Sequence, residues 1–210
     1  MKDLIIKTLS NEHKILLCKV DYNVEKELFS ILEKNNINLS SLSQIRNKKR
    51  SIEWMTVRVA IIEFFEEAVD IKYNKERKPS LTKSGYHISI SHSHERIAIS
   101  LNKSLLNGID IQHISPKVDR IKNKFLIKSE LENIKENDYI NLTYYWSIKE
   151  ALFKVYGKND IYLKNHIQVV QFDSTKREAC GTISAPNYYK KLNLKFELID
   201  DYTLAYIVNS

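Results

Sequence analysis

Two kinds of hydrophobic spacing alternate along the chain and predict an α+β fold. Residues 4–20 are typical of two short apolar strands around a polar turn. Between residues 24 and 70 the apolar positions follow a helical period, which predicts one helix in EKELFSILEKN and a longer one in KRSIEWMTVRVAIIEFFEEAV. One face of the longer helix carries Ile52, Met55, Val59 and Ile62. The stretch YHISISHSHERIAISL alternates on either side of SHSHER, which is typical of a β-hairpin.

The second half of the chain repeats this order of elements. NGIDIQHI predicts a strand, residues 118–156 are mostly helical, and KLNLKFELIDDYTLAYIV predicts a hairpin that turns at Asp200–Asp201. We therefore expect two pseudo-symmetric lobes, residues 1–103 and 104–210, each with an antiparallel sheet packed on a long helix. A cleft between two lobes is a preferred place for a ligand, so the active site is predicted there.

The composition of the chain favours anionic binding partners but does not distinguish among them. The 210 residues carry a formal net charge of +7, which favours nucleic acid, a phosphorylated small molecule or an acidic protein. Cys18 and Cys180 stand in no metal or redox spacing, which suits a reducing cytosol. The apolar stretch at the N-terminus is too short for a signal peptide, and no run approaches the roughly 18 apolar residues of a membrane span. We expect a soluble cytoplasmic protein with no membrane partner.

The segment GIDIQ places two oxygen donors on one side of a strand. Successive side chains of a strand point to opposite faces, so Ile109 and Ile111 can face the core while Asp110 and Gln112 point together elsewhere. Such a pair suits a hard cation such as Mg²⁺, which takes oxygen ligands. A polar strand edge is the simpler interpretation of this segment alone.

The segment YYWSIKEALFKVYG predicts a helix with two distinct stripes. One stripe is most simply core: Tyr145, Ile148, Leu152 and Val155. The other has Trp146, Glu150 and Lys154 at positions i, i+4 and i+8, with Lys149 beside it. An exposed Glu–Lys pair, worth about 0.3–0.5 kcal/mol, would explain the two charges. The tryptophan at the head of the stripe argues against a fully solvated face.

The segment RKPSLTKSGYHISISHSHER combines a loop and a crowded turn. Lys78 precedes Pro79, which favours an extended loop. Ser91 and His92 could suggest nucleophilic catalysis, but adjacent residues of a strand point to opposite faces. The alternatives are ordinary turn residues, or anion binding by hydroxyl, imidazole and a neighbouring lysine.

Further candidates are weak when taken singly. Glu130, in KFLIKSELENI, could be a helix-capping glutamate after Ser129. A second candidate is a cluster of basic residues around the start of the long helix: Arg46, Lys48, Lys49, Arg50 and Arg58. Basic clusters usually lie on solvated surface.

Together, RKP, SISHS, GIDIQ, KFLIKSE and WSIKEALFKVYG resemble the 4′-phosphopantetheinyl transferase superfamily, in its long, two-lobed, surfactin-synthetase-activating type. They are similar to the family's G-K-P, (N/S)-x-S-H-S, G-x-D-x-E, F-(F/L)-x-x-x-E and W-x-x-K-E-x-x-x-K blocks, in the same order across residues 77–157. The W…KE…K block is fairly specific, and its occurrence with the other blocks strengthens the resemblance. Residues 1–45 and 160–210 match only in general shape.

The resemblance implies a reaction and its partners. The 4′-phosphopantetheine arm of coenzyme A, bound between the lobes, would pass to a serine of an acyl or peptidyl carrier protein, releasing adenosine 3′,5′-bisphosphate. The metal would be Mg²⁺, with Mn²⁺ as an alternative. The protein would be a monomer, because one chain supplies both sides of the cleft, and it would need no nucleic acid.

The resemblance also implies a role for particular residues. Glu130 matches the proposed general base, and Lys154 the lysine that stabilises or protonates the leaving phosphate. The metal ligands would be Asp110, Gln112 and Glu150, in the C-terminal lobe. The coenzyme A contacts would be Lys78, Ser91, His92, Lys149 and Arg50, the last in preference to Arg46 as a 3′-phosphate contact.

Two positions depart from the family pattern. RKP lacks the glycine of G-K-P, and Gln112 stands where the family has glutamate. A neutral amide oxygen can still bind Mg²⁺, so we expect weakened metal affinity with activity retained. One alternative is a degenerate homologue that binds coenzyme A or a carrier protein without transfer. Another is a basic nucleic-acid-binding module, although the chain has no recognised nucleic-acid motif.

Overall fold

A computed structural model describes residues 4–83, 85–104 and 106–208. Its internal contacts divide the chain into a first unit, Met1–Lys103, and a second unit, Ser104–Ser210. Each unit contains an antiparallel sheet and one long helix. The predicted α+β class is therefore confirmed.

The first unit is built on a four-stranded sheet whose strand order is β1-β2-β6-β5. All pairings in this sheet are antiparallel, and β3 pairs with β4 as a separate two-stranded sheet. The elements in chain order are β1 (Leu4–Thr8), β2 (His13–Lys19), α1 (Glu25–Lys34), α2 (Lys48–Phe65), β3 (Ile71–Tyr73), β4 (Pro79–Leu81), β5 (His87–Ser93) and β6 (Arg96–Asn102).

Helix α2 is the long helix predicted for this half. It begins after Asn47, whose side chain accepts a hydrogen bond from the Arg50 backbone N–H at 3.1 Å, and it ends at Phe65, before the C-cap Glu66, whose φ is 54°. The predicted apolar face is buried in the core of the first unit and comprises Ile52, Met55, Val59 and Ile62.

The second unit is built on a five-stranded antiparallel sheet whose strand order is β7-β11-β10-β9-β8. The elements in chain order are β7 (Ile109–His113), a 3₁₀ segment (Pro116–Ile121), α3 (Lys122–Phe125), α4 (Lys128–Leu131), α5 (Tyr139–Tyr156), α6 (Leu163–His166), β8 (Ile167–Asp173), β9 (Glu178–Ala185), β10 (Tyr188–Ile199) and β11 (Tyr202–Val208). The predicted strand GIDIQ and the predicted turn at Asp200–Asp201 are both confirmed.

Helix α5 packs closely on this sheet because two glycines leave room for it. A Cβ at Gly108 would lie 2.1 Å from the Ala151 carbonyl oxygen, and one at Gly181 would lie 2.4 Å from a methyl carbon of Leu152. The stripe predicted to be core, Tyr145, Ile148, Leu152 and Val155, is buried. The helix and sheet backbones therefore approach each other directly above β7.

Other parts of the prediction are not confirmed. The sequence pattern predicted no helix or strand for residues 160–187, yet these residues hold α6, β8 and β9. The two sheets differ in the number and order of their strands, so the pseudo-symmetry of the lobes is unconfirmed, and the cleft between them stays a prediction.

No helix within the described residues is both long enough and apolar enough to span a membrane. Both cysteines are free thiols that lie buried, Cys18 in the first unit and Cys180 in the second.

Candidate active site

Asp110 lies on the face of the second sheet that packs against α5. In the antiparallel pairing of β7 with β11, Asp110 is opposite Ala205, and paired residues share one face of a sheet. Ala205 belongs to the same buried cluster as Ile148 and Leu152 of α5. The carboxylate therefore points at the helix, while Ile109 and Ile111 are buried on the other face of β7.

Lys154, near the end of α5, contacts Asp110. Its Nζ lies 2.9 Å from the Asp110 Oδ1 atom and donates a second hydrogen bond to the Ile109 carbonyl oxygen at 2.8 Å. Asp110 is buried and Lys154 half-buried, so this ion pair is better shielded from water than a surface pair. The resemblance predicted both residues for one site, and the fold brings them into contact.

Gln112 lies two residues further along the same face of β7. It is paired with Thr203 of β11, whose Oγ1 lies 2.8 Å from the Oγ of Ser147 on α5. Strand β7 and helix α5 therefore run past each other with Asp110 beside Lys154 and with the Gln112–Thr203 pair beside Ser147. Glu150 is three residues after Ser147 and four before Lys154, which places it between these two contacts on the helix.

The pKa of Glu150 is raised to about 7, chiefly by burial and then by the charge of Asp110, while Lys154 opposes the shift. Two carboxylates that repel each other in a half-buried site would be relieved by a shared cation. Among the described residues no group of three or more His, Cys, Asp or Glu side chains could hold a metal, so a third protein donor here would be the Gln112 amide. The donor set of two carboxylates and an amide fits Mg²⁺.

Glu130 and Lys149 form a second, deeply buried ion pair. The Lys149 Nζ lies 2.7 Å from the Glu130 Oε2 atom, and the two side chains are 0% and 3% exposed. Glu130 also accepts hydrogen bonds from the backbone N–H groups of Ile127 at 2.9 Å and Val169 at 2.8 Å. It is a helix-capping glutamate, with Ile127 rather than Ser129 at the N-cap.

The ammonium of Lys149 has protein partners for all of its donors. Besides Glu130, it donates to the carbonyl oxygens of Phe125 and Ile167 at 2.7 Å each, and it lies 3.5 Å from that of Leu163. Burial lowers the pKa of Lys149, and the hydrogen bond to Glu130 opposes this. These surroundings do not support the phosphate contact expected of Lys149, nor the role of general base expected of Glu130, because neither group faces an open site.

The first unit holds a cavity of about 640 Å³ with a basic rim. Arg46 lines it from the segment just before α2, Arg50 from the first turn of α2, and His92 from β5. Two of the predicted coenzyme A contacts, Arg50 and His92, thus share one cavity with the alternative candidate, Arg46. Three cationic or ionisable donors around one space suit a phosphorylated ligand.

The other two predicted contacts of the first unit are placed differently. Ser91 is buried on the face of β5 opposite to His92, which agrees with the expectation that the two do not form a nucleophile and base pair. Lys78 is half-buried in the β3–β4 turn, where burial lowers its pKa and its backbone N–H donates to the Asn74 side chain at 2.7 Å. Neither residue lines the cavity.

The cavity also contains residues that the motifs did not indicate. Trp54 and Glu53 line it from α2, and the Glu53 Oε2 atom lies 3.8 Å from the His92 Nδ1 atom. Arg58 stacks on the Trp54 ring at 3.4 Å and is bonded to Asp70 at 3.1 Å, which gives this arginine a structural role. The sequence did carry one signal for this grouping: Arg50, Trp54 and Arg58 are spaced four residues apart, which places them on one face of α2.

A comparison with protein families finds one match, which lies in the second unit. Residues 107–207 match the model of the 4′-phosphopantetheinyl transferase superfamily. The match includes the Asp110, Glu150 and Lys154 cluster and the Glu130–Lys149 pair, and it spans slightly less than half of the 210 residues. No curated protein matches the chain.

Proposed function

We propose that the protein transfers 4′-phosphopantetheine from coenzyme A to a serine of an acyl or peptidyl carrier protein and releases adenosine 3′,5′-bisphosphate. One observation carries the proposal: within a domain that matches the superfamily, Asp110 and Lys154 are in contact beside Glu150. These are the residue types that a displacement at a pyrophosphate phosphorus requires.

The metal ligands of the proposed site are Asp110, Gln112 and Glu150, from β7 and α5. A bound Mg²⁺, or Mn²⁺ in its place, would supply positive charge to the pyrophosphate oxygens. The protein's part is to hold the two carboxylates on a strand and a helix that pack closely together, because α5 lies against Gly108 and Gly181. Gln112 contributes an oxygen without charge, which lowers the metal affinity of the site.

Lys154 is the residue proposed to stabilise the leaving phosphate. Its ammonium is fixed by Asp110 and by the Ile109 carbonyl oxygen, so its charge is oriented before the substrate arrives. The nucleotide end of coenzyme A is proposed to bind the cavity of the first unit, where Arg50 and His92 contact phosphate. Lys78 and Ser91 are more remote contributors to that binding, outside the lining of the cavity.

The protein is further proposed to act as a monomer in the cytoplasm, with residues 1–103 and 104–210 as its two domains. The two buried free thiols are consistent with a reducing compartment. A trimer in a solution-mass measurement would overturn the monomer.

The test is intact-mass spectrometry of apo carrier proteins incubated with the protein, coenzyme A and Mg²⁺. We expect a gain of about 340 Da, the phosphopantetheine increment of this phosphoryl-transfer chemistry. D110N is the matched negative control, because it keeps the shape of the side chain and removes a ligand charge. No gain on several carrier proteins, with coenzyme A still bound, would indicate a degenerate homologue. No gain and no coenzyme A binding would refute the proposal, and salt-dependent nucleic-acid binding in that case would favour the nucleic-acid module.

A further inference from the structure

One buried ammonium ties together four segments of the second unit. Lys149 projects from α5 and bonds to the carbonyl oxygens of Phe125, at the end of α3, and Ile167, at the start of β8. Its third partner is Glu130 of α4, and it lies near the Leu163 carbonyl oxygen of α6. Helices α3, α4 and α6 have four residues each, too few to be stable without such tertiary contacts.

Glu130 completes the connection from the opposite side. Its carboxylate accepts hydrogen bonds from the backbone N–H of Ile127, the N-cap of α4, and from that of Val169 in β8. The pair therefore joins the loop between α3 and α4 to α5 and to the edge strand of the sheet. Every strong donor and acceptor of the pair is used inside the protein, and neither side chain reaches solvent.

This connection lies directly behind the proposed metal site. Lys149 and Glu150 are neighbours on α5 and point to different sides of the helix. Phe125, whose carbonyl oxygen Lys149 binds, also packs edge-on against Trp146 at 5.0 Å between ring centroids. Trp146 is one turn before Glu150 on the same stripe, so these contacts fix the turn of the helix that leads to the proposed ligand.

We infer that Glu130 and Lys149 are a positioning pair, which holds α5 so that Glu150 meets Asp110 in the geometry that binds the metal. Neither residue then touches substrate, in contrast to the general base and the phosphate contact that the resemblance implied. The expected effect of this pair on the transfer rate rests on the proposed function. Its expected effect on Mg²⁺ binding can be tested without any transfer reaction.

A double-mutant cycle distinguishes positioning from catalysis. The variants are Glu130→Gln, Lys149→Met and the two combined, with Lys164→Met as the matched control. Lys164 is a lysine of the same region whose Nζ donates to the Asn123 carbonyl oxygen at 3.0 Å, but it contacts neither member of the pair by hydrogen bond. Two measurements are made on each: the Mg²⁺ concentration that gives half of the maximal rise in melting temperature, and kcat/KM for transfer.

Each single substitution leaves one buried charge without its counter-ion, which distorts the region more than removing both charges does. We therefore expect each single variant to raise the half-saturating Mg²⁺ concentration about tenfold, as for other residues that orient metal ligands. The double variant should recover both measured quantities to within roughly threefold of the wild type. Lys164→Met should behave as the wild type.

A general base cannot be restored by a second substitution at Lys149. The inference is overturned if the double variant stays as inactive as Glu130→Gln while the Mg²⁺ response of every variant matches the wild type. If a single variant does not fold, a folded double variant supports the inference, and a double variant that also fails to fold overturns it.

The metal titration separates this inference from the proposed function. A wild-type melting temperature that does not respond to Mg²⁺ overturns the positioning pair, whatever the transfer assay gives. A normal Mg²⁺ response with no mass gain on any carrier protein counts against the proposed transferase function but not against the positioning pair. In that case the Mg²⁺ affinities of the single and double variants still decide the role of Glu130 and Lys149.

Discussion

Lys154 and Asp110, 44 residues apart in the sequence, form an ion pair with 2.9 Å between Nζ and Oδ1. The pair joins the end of α5 to the start of β7, the two elements that carry the proposed ligands. A divalent cation at this site has to share the Asp110 carboxylate with an ammonium. Under the proposed function, we expect Lys154 to weaken the binding of the metal and to stabilise negative charge on the substrate.

The substitution Lys154→Met separates these two effects. Removal of a positive charge beside the carboxylates should strengthen Mg²⁺ binding, and we expect the half-saturating concentration in a thermal-shift titration to fall by about threefold to tenfold. Loss of a cation that stabilises the leaving phosphate should at the same time lower kcat by about 100-fold.

Lys158→Met is the control, since this exposed lysine follows α5 and lies 5.9 Å from the centroid of the Tyr156 ring. A loss of Mg²⁺ affinity in Lys154→Met would contradict the competition and would indicate that the lysine only holds Asp110 in place.

Glu150 gives the metal-free protein a defined pH dependence. Its pKa is raised from 4.5 to about 7, so between these pH values the folded state binds more protons than the unfolded state. Stability from this group therefore falls as the pH rises from about 4.5 to about 7 and stays low above it. Glu150→Gln should remove this loss of folding stability. For a pKa raised from 4.5 to about 7, the loss in the free energy of unfolding is about 3 kcal/mol at pH 8.

The measurement is urea unfolding of both proteins at pH 5 and pH 8 in the presence of a chelator. Glu150→Gln should be more stable than the wild type at pH 8 and close to it at pH 5. Added Mg²⁺ should stabilise the wild type more at pH 8 than at pH 6, because protons and the metal compete for the carboxylate. Equal stability differences at both pH values would contradict the raised pKa.

Gln112→Glu tests the departure from the family pattern. The substitution adds a carboxylate on the face of β7 that Asp110 occupies, and the added charge should lower the half-saturating Mg²⁺ concentration for transfer about tenfold. The maximal rate should change little, because Asp110, Glu150 and Lys154 are unaltered. An unchanged metal requirement would show that Gln112 does not bind the metal.

Gly108→Ala should destabilise the second unit. The new Cβ would lie 2.1 Å from the Ala151 carbonyl oxygen, within the backbone of α5, so the helix would have to move. We expect a loss of about 2–3 kcal/mol in the free energy of unfolding and weaker Mg²⁺ binding. Gly85→Ala is the control, because a Cβ there meets no atom within 4 Å. Equal stability of the two variants would contradict the close approach of helix and sheet.

Much of this site follows from the sequence, and what does not depends on contacts between distant segments. Alternation in GIDIQ and the helical period of α5 were enough to assign faces to Asp110 and Glu150. The contacts of Glu130 were not predictable, because its partners Lys149 and Val169 come from other elements. A motif lists these residues side by side, but only the fold shows that one carboxylate faces a helix and the other is surrounded by backbone. Strand β8 escaped prediction because its buried positions are interrupted by exposed ones and by a bulge. Strand β9 escaped prediction because its buried run, ACGTI, mixes small and polar residues with apolar ones.

Arg50 and Arg46 offer a matched comparison for the proposed coenzyme A site. Both line the cavity of the first unit, and only Arg50 lies within α2, one turn before Trp54. If Arg50 contacts the 3′-phosphate, Arg50→Gln should raise KM for coenzyme A about tenfold or more and leave KM for dephospho-coenzyme A, which lacks that phosphate, nearly unchanged. Arg46→Gln should alter the two KM values equally. Because kcat depends on the second unit, neither variant should lower it by more than about twofold. Loss of 3′-phosphate discrimination in Arg46→Gln instead would reverse the assignment of the two arginines.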